Sequence, residues 1–361
     1  MAPRFHQLTI AEIDRQTPEA VALGFAVPAE LRETFAFRPG QYLTLAADID
    51  GEEIRRSYSI CSMPGEPLVR VGVKKVADGR FSRFVNDHLG VGDSIRVMPP
   101  EGRFTPRLGG GKRQDYLLIA SGSGITPMLS IAATVLGHEP KSTITLIYGN
   151  RATDAIMFRE ELEDLKDSHL GRFTLVHVLS REKQDVELLN GRIDGARITA
   201  MAERGLIDPQ NADGVFLCGP GEMIDEVAAA LQSLGVPDEK IRFERFTPAG
   251  EIAPKRAPSE AVQQAVAQGV DIEIVLDGVR RNFPMAEADL SVLDAAHAAG
   301  IELPYSCAGG MCCTCRCRVV EGSAEMAVNY SLEKWEIEAG FTLACQSRPT
   351  SGKLVLDFDA T

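Results

Sequence analysis

Four cysteines near the end of the chain, Cys307, Cys312, Cys315 and Cys345, constrain its fold more than any other feature. They stand as Cys-x4-Cys-x2-Cys in PYSCAGGMCCTCRC, followed after residues 316–344 by a fourth in LACQSRP. Three ligands in one loop and one remote is a spacing with which four thiolates hold a 2Fe-2S cluster. A structural zinc site uses two close ligand pairs instead, and a Rieske centre needs two histidines, which this loop lacks. Gly309 and Gly310 permit the unusual dihedrals and free N–H groups that a loop around an anionic cluster requires. Cys313 and Cys317 are not needed by the spacing, and Cys61 has no assignable role. His297, on SVLDAAHAAG, reads as surface or packing. The chain is expected to move electrons.

Length and charge narrow the rest. A chain of 361 residues predicts two or three domains. A net charge of −13, from 38 basic and 51 acidic residues, argues against nucleic acid as a partner. Residues 269–361 hold 14 acidic and 7 basic side chains, either a solvated surface or a face that steers a basic protein partner. No apolar run reaches membrane-spanning length. MAPRFHQLTIAEID lacks a signal-peptide layout, so a cytoplasmic location is expected. Five of the eight cysteines crowd between Cys307 and Cys317, which suits thiolate ligands in a reducing compartment rather than a disulfide framework.

Three segments separate along the chain. Residues 1–107 carry short alternating stretches (FHQLTIAEI, AVALGFAV, YLTLAADI, IRRSYSIC, LVRVGVKKV, SIRVMPP) punctuated by turn residues, which predicts an antiparallel β-barrel. One helix is expected over 81–89. Residues 112–246 alternate strand and helix (DYLLIA then ITPMLSIAATVLG, TITLIYGN then MFREELEDLKD, FTLVHVLS then ITAMAERG, GVFLCG then EMIDEVAAALQSLG), the pattern of a doubly wound parallel α/β sheet. Residues 247–268, rich in Pro, Ala and charge, read as a linker. Residues 269–361 open with two strands and a helix before the cysteine loop.

Two further sites are marked by short motifs. In the first segment Arg56 can pair with a cofactor phosphate, Tyr58 can lie against a flavin ring, and Ser59 can hydrogen-bond the ring edge. Gly79, Phe81 and Ser82 open the following helix, with donors suited to a pyrophosphate. Gly122, Gly124 and Pro127 form a Gly-x-Gly-x-x-Pro turn between DYLLIA and its helix, where glycines admit a dinucleotide pyrophosphate. Cys218 and Gly219 occupy a second strand–helix junction, where open α/β sheets bind ligands; a buried strand thiol is the alternative for Cys218.

With these motifs in this order, the chain resembles the ferredoxin–NADP reductase superfamily carrying a C-terminal plant-type ferredoxin domain. The resemblance covers almost the whole chain and implies three modules: an FAD-binding barrel, a nicotinamide-nucleotide domain and an α+β β-grasp ferredoxin domain. It implies that Arg56, Tyr58 and Ser59 contact flavin, that Gly79, Phe81 and Ser82 take its pyrophosphate, and that Cys218 and Gly219 lie near the reacting rings. The family often has a second glycine where Arg80 stands. RRSYSIC, VGVKKV, IYGNR, IMFREELEDLK and HVLSRE further resemble reductase subunits of bacterial phenylacetyl-CoA epoxidases.

The implied activity passes electrons from NADPH through FAD and the 2Fe-2S cluster to an oxygenase partner in phenylacetate catabolism. Reductases of other aromatic-ring or steroid oxygenases, and a non-catalytic electron carrier, are the alternatives. No histidine has Glu three residues before it, so a di-iron oxygenase site within this chain is excluded. Arg151, Ser180 and Arg181 follow strands where a 2′-phosphate would bind, favouring NADPH, whereas Asp154 keeps NADH open. Phe246 either covers the flavin or packs a domain interface.

Overall fold

The computed structural model describes residues 5–108, 110–246 and 257–360. All six stretches expected as strands in the first segment are strands: β1 (His6–Thr17), β2 (Ala20–Ala26), β3 (Tyr42–Ile49), β4 (Glu52–Ser59), β5 (Val69–Lys74) and β6 (Ser94–Val97). Alternation drives them together. Leu8 and Ile10 of β1, Val21 and Leu23 of β2, Leu43 and Leu45 of β3, and Val71 and Val73 of β5 all turn into one core. The strand order is β4-β3-β6-β1-β2-β5. An antiparallel bridge between Ile60 and Val71, with the Cys61 N–H donating to the Arg70 carbonyl at 2.9 Å, joins the ends and closes a barrel. Helix α1 (Arg80–Asp87) follows β5, and Phe81 and Val85 face the same core.

The second module alternates β7 (Asp115–Ser121), α2 (Ile125–His138), β8 (Thr143–Asn150), α3 (Arg159–Ser168), β9 (Phe173–Leu179), α4 (Gly195–Glu203), β10 (Gly214–Gly219), α5 (Gly221–Ser233) and β11 (Ile241–Arg245). The sheet order is β11-β10-β7-β8-β9, with every pair parallel. Both sheet faces are covered, so its strands read as continuous apolar runs. Edge strand β11 is the exception: no residue of IRFER is fully buried, and the expected pattern of strands lacks it. From β7 the chain winds one way through β8 and β9, then returns to place β10 on the other side of β7. That reversal opens a crevice at the carboxyl ends of β7 and β10.

Barrel and parallel sheet form one compact unit. Ser130 on α2 donates to the Ser62 carbonyl at 2.7 Å, and Arg242 on β11 donates to the Thr105 carbonyl at 2.7 Å. Cys61 and Phe104 from the barrel side enter the core beneath α2. Cys61 thus has a packing role, and burial pushes its thiol up to about 12.

The third module contains α6 (Glu260–Gln268), β12 (Val270–Leu276), β13 (Val279–Met285), α7 (Val292–Ala298), β14 (Arg316–Glu321), β15 (Ala324–Met326), α8 (Lys334–Glu338), β16 (Phe341–Leu343), β17 (Ser347–Pro349) and β18 (Lys353–Asp357). Its main sheet runs β13-β12-β18-β14-β16, with the parallel β12–β18 pair central and α7 packed on it, a β-grasp arrangement.

Helix α6 corrects the linker expected over 247–268. Residues 247–256 lie outside the described residues, but Glu260–Gln268 is helical, capped by the Ser259 side chain, with Val262 and Ala265 buried. Ala265 joins the third module's core. The Pro- and Ala-rich composition concealed a two-and-a-half-turn amphipathic helix whose apolar stripe is only a few side chains wide. Val262→Ala should therefore cost the third module about 1–3 kcal/mol. Thermal bleaching of its visible absorbance should begin at lower temperature, with the flavin fluorescence transition unmoved.

Candidate functional site

The crevice is built around a backbone contact. Gly122 adopts φ +57°, and Gly124 lies so close to β10 that a Cβ on it would stand 2.2 Å from the Cys218 carbonyl oxygen. Only glycine fits there. Tyr148 on β8 donates to the Gly122 carbonyl at 3.0 Å, and Thr126 Oγ1 donates to the Ser123 carbonyl at 3.0 Å, so the turn is fixed from two sides. Pro127 is buried in the first turn of α2, where it sacrifices no helical hydrogen bond. The sequence-predicted Gly122, Gly124, Pro127, Cys218 and Gly219 therefore meet at one point.

Cys218 is fully buried, its thiol raised first by burial and then by the Glu244 carboxylate. Gly219 accepts the Phe246 N–H at 3.1 Å, and the Phe246 ring packs against the core beneath α2. The structure supplies a residue that the sequence reading overlooked. Glu244 pairs in register with Cys218 across β10 and β11, and Ser59 Oγ donates to its carboxylate at 2.9 Å. Burial pushes Glu244 up to about 7, against the opposing effect of the Ser59 hydrogen bond. Glu244 sits two residues before Phe246 in RFERFTP, but only strand pairing reveals its neighbour.

The barrel motifs are local to β4 and α1. Tyr58 and Phe81 place ring centroids 5.9 Å apart. Ser82 Oγ donates to the Gly79 carbonyl and accepts the Val76 N–H, each at 3.1 Å, which shapes the entry to α1. Arg56 is exposed, its guanidinium donating to the Arg55 carbonyl at 2.7 Å. Arg80, standing where a glycine is frequent, turns outward to Asp50 and Glu52.

At the other end of the crevice, the loops after β8 and β9 are stitched together. The Arg181 N–H donates to the Arg151 carbonyl at 2.7 Å, and the Ser180 N–H donates to the Asn150 carbonyl at 3.0 Å. Arg151, Ser180 and Arg181 are exposed side by side. Lys74, at the end of β5, was also overlooked. Its Nζ would lie 3.9 Å from a Cβ on Gly122, and burial followed by the Arg151 charge lowers its pKa. A partly buried lysine beside the glycine turn, within the field of the Arg151 charge, suits an anionic ligand.

In the third module the four predicted cysteines come together as two pairs. Cys307 stands beside Cys312, and Cys315 beside Cys345. Cys307 Sγ accepts the N–H groups of Gly309 at 3.3 Å and Met311 at 3.4 Å, and Cys312 Sγ accepts the Cys307 N–H at 3.4 Å. The Cys312 hydrogen bond leads in drawing Cys307 down to about 6, while Cys312 itself rises. Among the described residues, no three His, Cys, Asp or Glu side chains converge as a single metal ion would require. Two thiol pairs ringed by N–H donors instead fit a two-iron cluster with two thiolates per iron. Cys313 turns away to Ser331 Oγ at 3.0 Å, and Cys317 is buried in the core. His297 packs its ring edge against Tyr305, with centroids 4.9 Å apart.

A flavin-type barrel, a parallel sheet with glycines at its switch point and a four-thiol β-grasp loop define a three-module electron-transfer flavoprotein. Comparison with known proteins agrees module by module. Residues 7–105 match the oxidoreductase FAD-binding domain family, 118–229 the oxidoreductase NAD-binding domain family, and 274–350 the 2Fe-2S iron-sulfur cluster binding domain family. One component of the 1,2-phenylacetyl-CoA epoxidase of Escherichia coli K12 is 45% identical over 361 residues, covering 99% of this chain and 98% of that protein. The ferredoxin reductase component of the Rhodococcus rhodochrous 3-ketosteroid-9-alpha-monooxygenase is 35% identical, covering 97% and 96%. Phthalate dioxygenase reductase shares the fold with a TM-score of 0.60 at 23% identity, covering 98% of both chains.

The chain belongs to the ferredoxin–NADP reductase-like flavoprotein reductases with a C-terminal 2Fe-2S domain, and is closely related to the reductase subunit of phenylacetyl-CoA epoxidase. It is an oxidoreductase. Among the described residues, no helix is long and apolar enough to cross a membrane.

Glu244 gives a pH signature. Its proton is held more tightly in the folded protein than in the unfolded chain, where it titrates near 4.5. Its contribution to stability is therefore complete below pH 4.5 and is lost as pH rises towards 7. In urea unfolding between pH 4 and 8, on the order of the window set by these values, Glu244→Gln should flatten that decline. Parallel profiles for variant and wild type would remove Glu244 from this role.

Proposed function

We propose that this chain is the reductase component of an oxygenase of the phenylacetyl-CoA epoxidase type, drawing electrons from NADPH. The observation that carries this reading is 45% identity to the Escherichia coli protein, continuous through all three modules. Oxygenase systems also appear in the names of more distant relatives, so a protein oxygenase is the acceptor in either case. A steroid oxygenase is the second reading, supported by the 35% identical Rhodococcus protein. Reconstitution decides between the partners: NADPH-dependent turnover with a purified phenylacetyl-CoA epoxidase oxygenase is expected, and coupling only to a steroid oxygenase would overturn the assignment.

Bound FAD supplies the conversion of a two-electron hydride into single electrons, which a 2Fe-2S cluster then accepts. We propose the following residues for each task. Arg56 holds a flavin phosphate, Tyr58 lies against the ring system, and Gly79, Phe81 and Ser82 form the loop that receives the pyrophosphate. Gly122, Gly124 and Pro127 take the nicotinamide dinucleotide, with Lys74 and Arg151 opposing its phosphates. Ser59, Cys218, Gly219 and Glu244 surround the meeting point of the rings, where Glu244 holds or releases a proton at the carboxylate that faces Ser59 Oγ. Phe246 covers that point. Cys307, Cys312, Cys315 and Cys345 are the cluster ligands.

Two variants test these assignments. Cys345→Ser should lose the normal cluster spectrum and activity with the oxygenase while still oxidising NADPH with ferricyanide; an intact spectrum would refute the ligand set. Removing Arg181, adjacent to Ser180 and Arg151, should weaken NADPH by about ten- to a hundredfold, the equivalent of roughly 1.5–3 kcal/mol for a charged contact. NADH, with a neutral 2′-hydroxyl, should be almost unaffected. Equal weakening toward both nucleotides in steady-state kinetics would show that the phosphate lies elsewhere.

A further inference from the structure

Gln346 follows Cys345 directly and is 3% exposed. A buried carboxamide is unfavourable unless its hydrogen bonds are made. Its Nε2 makes two contacts at the cysteine cluster: it donates to the Ala308 carbonyl at 3.0 Å and to Cys345 Sγ at 3.6 Å, an ordinary length for a sulfur acceptor. One amide group therefore ties the backbone beside Cys307 to the sulfur of the remote ligand. Ala308 is held at φ +49°, a conformation that costs a residue with a Cβ and needs such an anchor.

The main chain of Gln346 is fixed as well: its backbone N–H donates to the Leu343 carbonyl at 2.8 Å, and its backbone carbonyl accepts the Ala327 N–H at 2.9 Å. Its Cγ stands 3.1 Å from where a Cβ on Gly310 would project.

We propose that Gln346 is a positioning residue that raises the reduction potential of the cluster. The inference rests on the four-cysteine ligand assignment. Reduction adds negative charge that spreads onto the thiolate sulfurs, and an N–H aimed at one of them stabilises the reduced state more than the oxidised one. The site is buried, so water screens that preference little.

The test uses the full-length holoprotein. Gln346→Met keeps the side-chain length and removes both donors. Redox titration followed by the electron paramagnetic resonance signal of the reduced cluster should show a reduced-to-oxidised ratio about three- to tenfold lower at a fixed potential. At ~59 mV per tenfold change for one electron, this is a midpoint about 28–59 mV more negative. A full complement of cluster with an unchanged midpoint overturns the proposal. A purely structural clasp would lower cluster content without moving the midpoint of what remains, and that result overturns it as well.

Should the variant assemble no cluster, wild-type protein carrying glutamine labelled with nitrogen-15 only in its side-chain amide decides the question. Pulsed resonance should detect coupling between that nitrogen and the reduced cluster, and its absence overturns the proposal. A wild-type chain with no 2Fe-2S spectrum would bring down the ligand assignment itself, a failure distinct from an unmoved midpoint.

Discussion

The approach of Gly124 to the Cys218 carbonyl is the constraint on which the catalytic half of this chain depends. A single Cβ would stand 2.2 Å from that oxygen, so two parallel strands and the helix that follows one of them can meet only if this position is glycine. The contact lies where the winding of the sheet reverses. Strand carboxyl ends, a helix N-terminus and the edge of the barrel all face the same crevice. The positive φ of Gly122 and the Tyr148 hydrogen bond to its carbonyl belong to the same tightly held turn.

The ferredoxin-like module solves a different problem. Its loop must enclose an anionic group with main-chain donors, and it does so largely with its own backbone: Gly309, Met311 and Cys307 aim N–H groups at sulfur. Cys345, which arrives from far along the chain, has no such local loop and is joined to the rest through Gln346 and the Ala344–Cys315 backbone hydrogen bond. Arg316 extends this support outward, forming a 2.8 Å ion pair with the fully buried Glu336 of α8 while lying over the Phe341 ring. A buried carboxylate is tolerated there because it is paired and because it also accepts the Glu333 N–H as a helix cap.

Where local chemistry dictates conformation, sequence was sufficient. The alternation of Leu8 with Ile10 and of Leu43 with Leu45 specified barrel strands, since period-two burial has no other use. The Gly-x-Gly-x-x-Pro turn located a strand–helix junction, and the cysteine spacing separated Cys307, Cys312, Cys315 and Cys345 from Cys313 and Cys317. Helix α6 was missed because two buried residues, Val262 and Ala265, are too few to stand out from a Pro- and Ala-rich background. Strand β11 was missed because an edge strand lacks a fully buried face.

Sequence by itself thus determined the three modules, their order and the residue types able to hold each cofactor, because spacing and periodicity are properties of neighbouring residues. Only the tertiary structure decided which distant side chains share a site. Glu244 becomes the neighbour of Cys218 and Ser59 through the register of a parallel strand pair. Lys74 reaches the Gly122 turn because the barrel packs against α2. Gln346 reaches Ala308 because β16 pairs with β14, setting Leu343 opposite Arg316 at the end of the cysteine loop. Such contacts join residues tens or hundreds of positions apart, and their energetics depend on burial that no local pattern records.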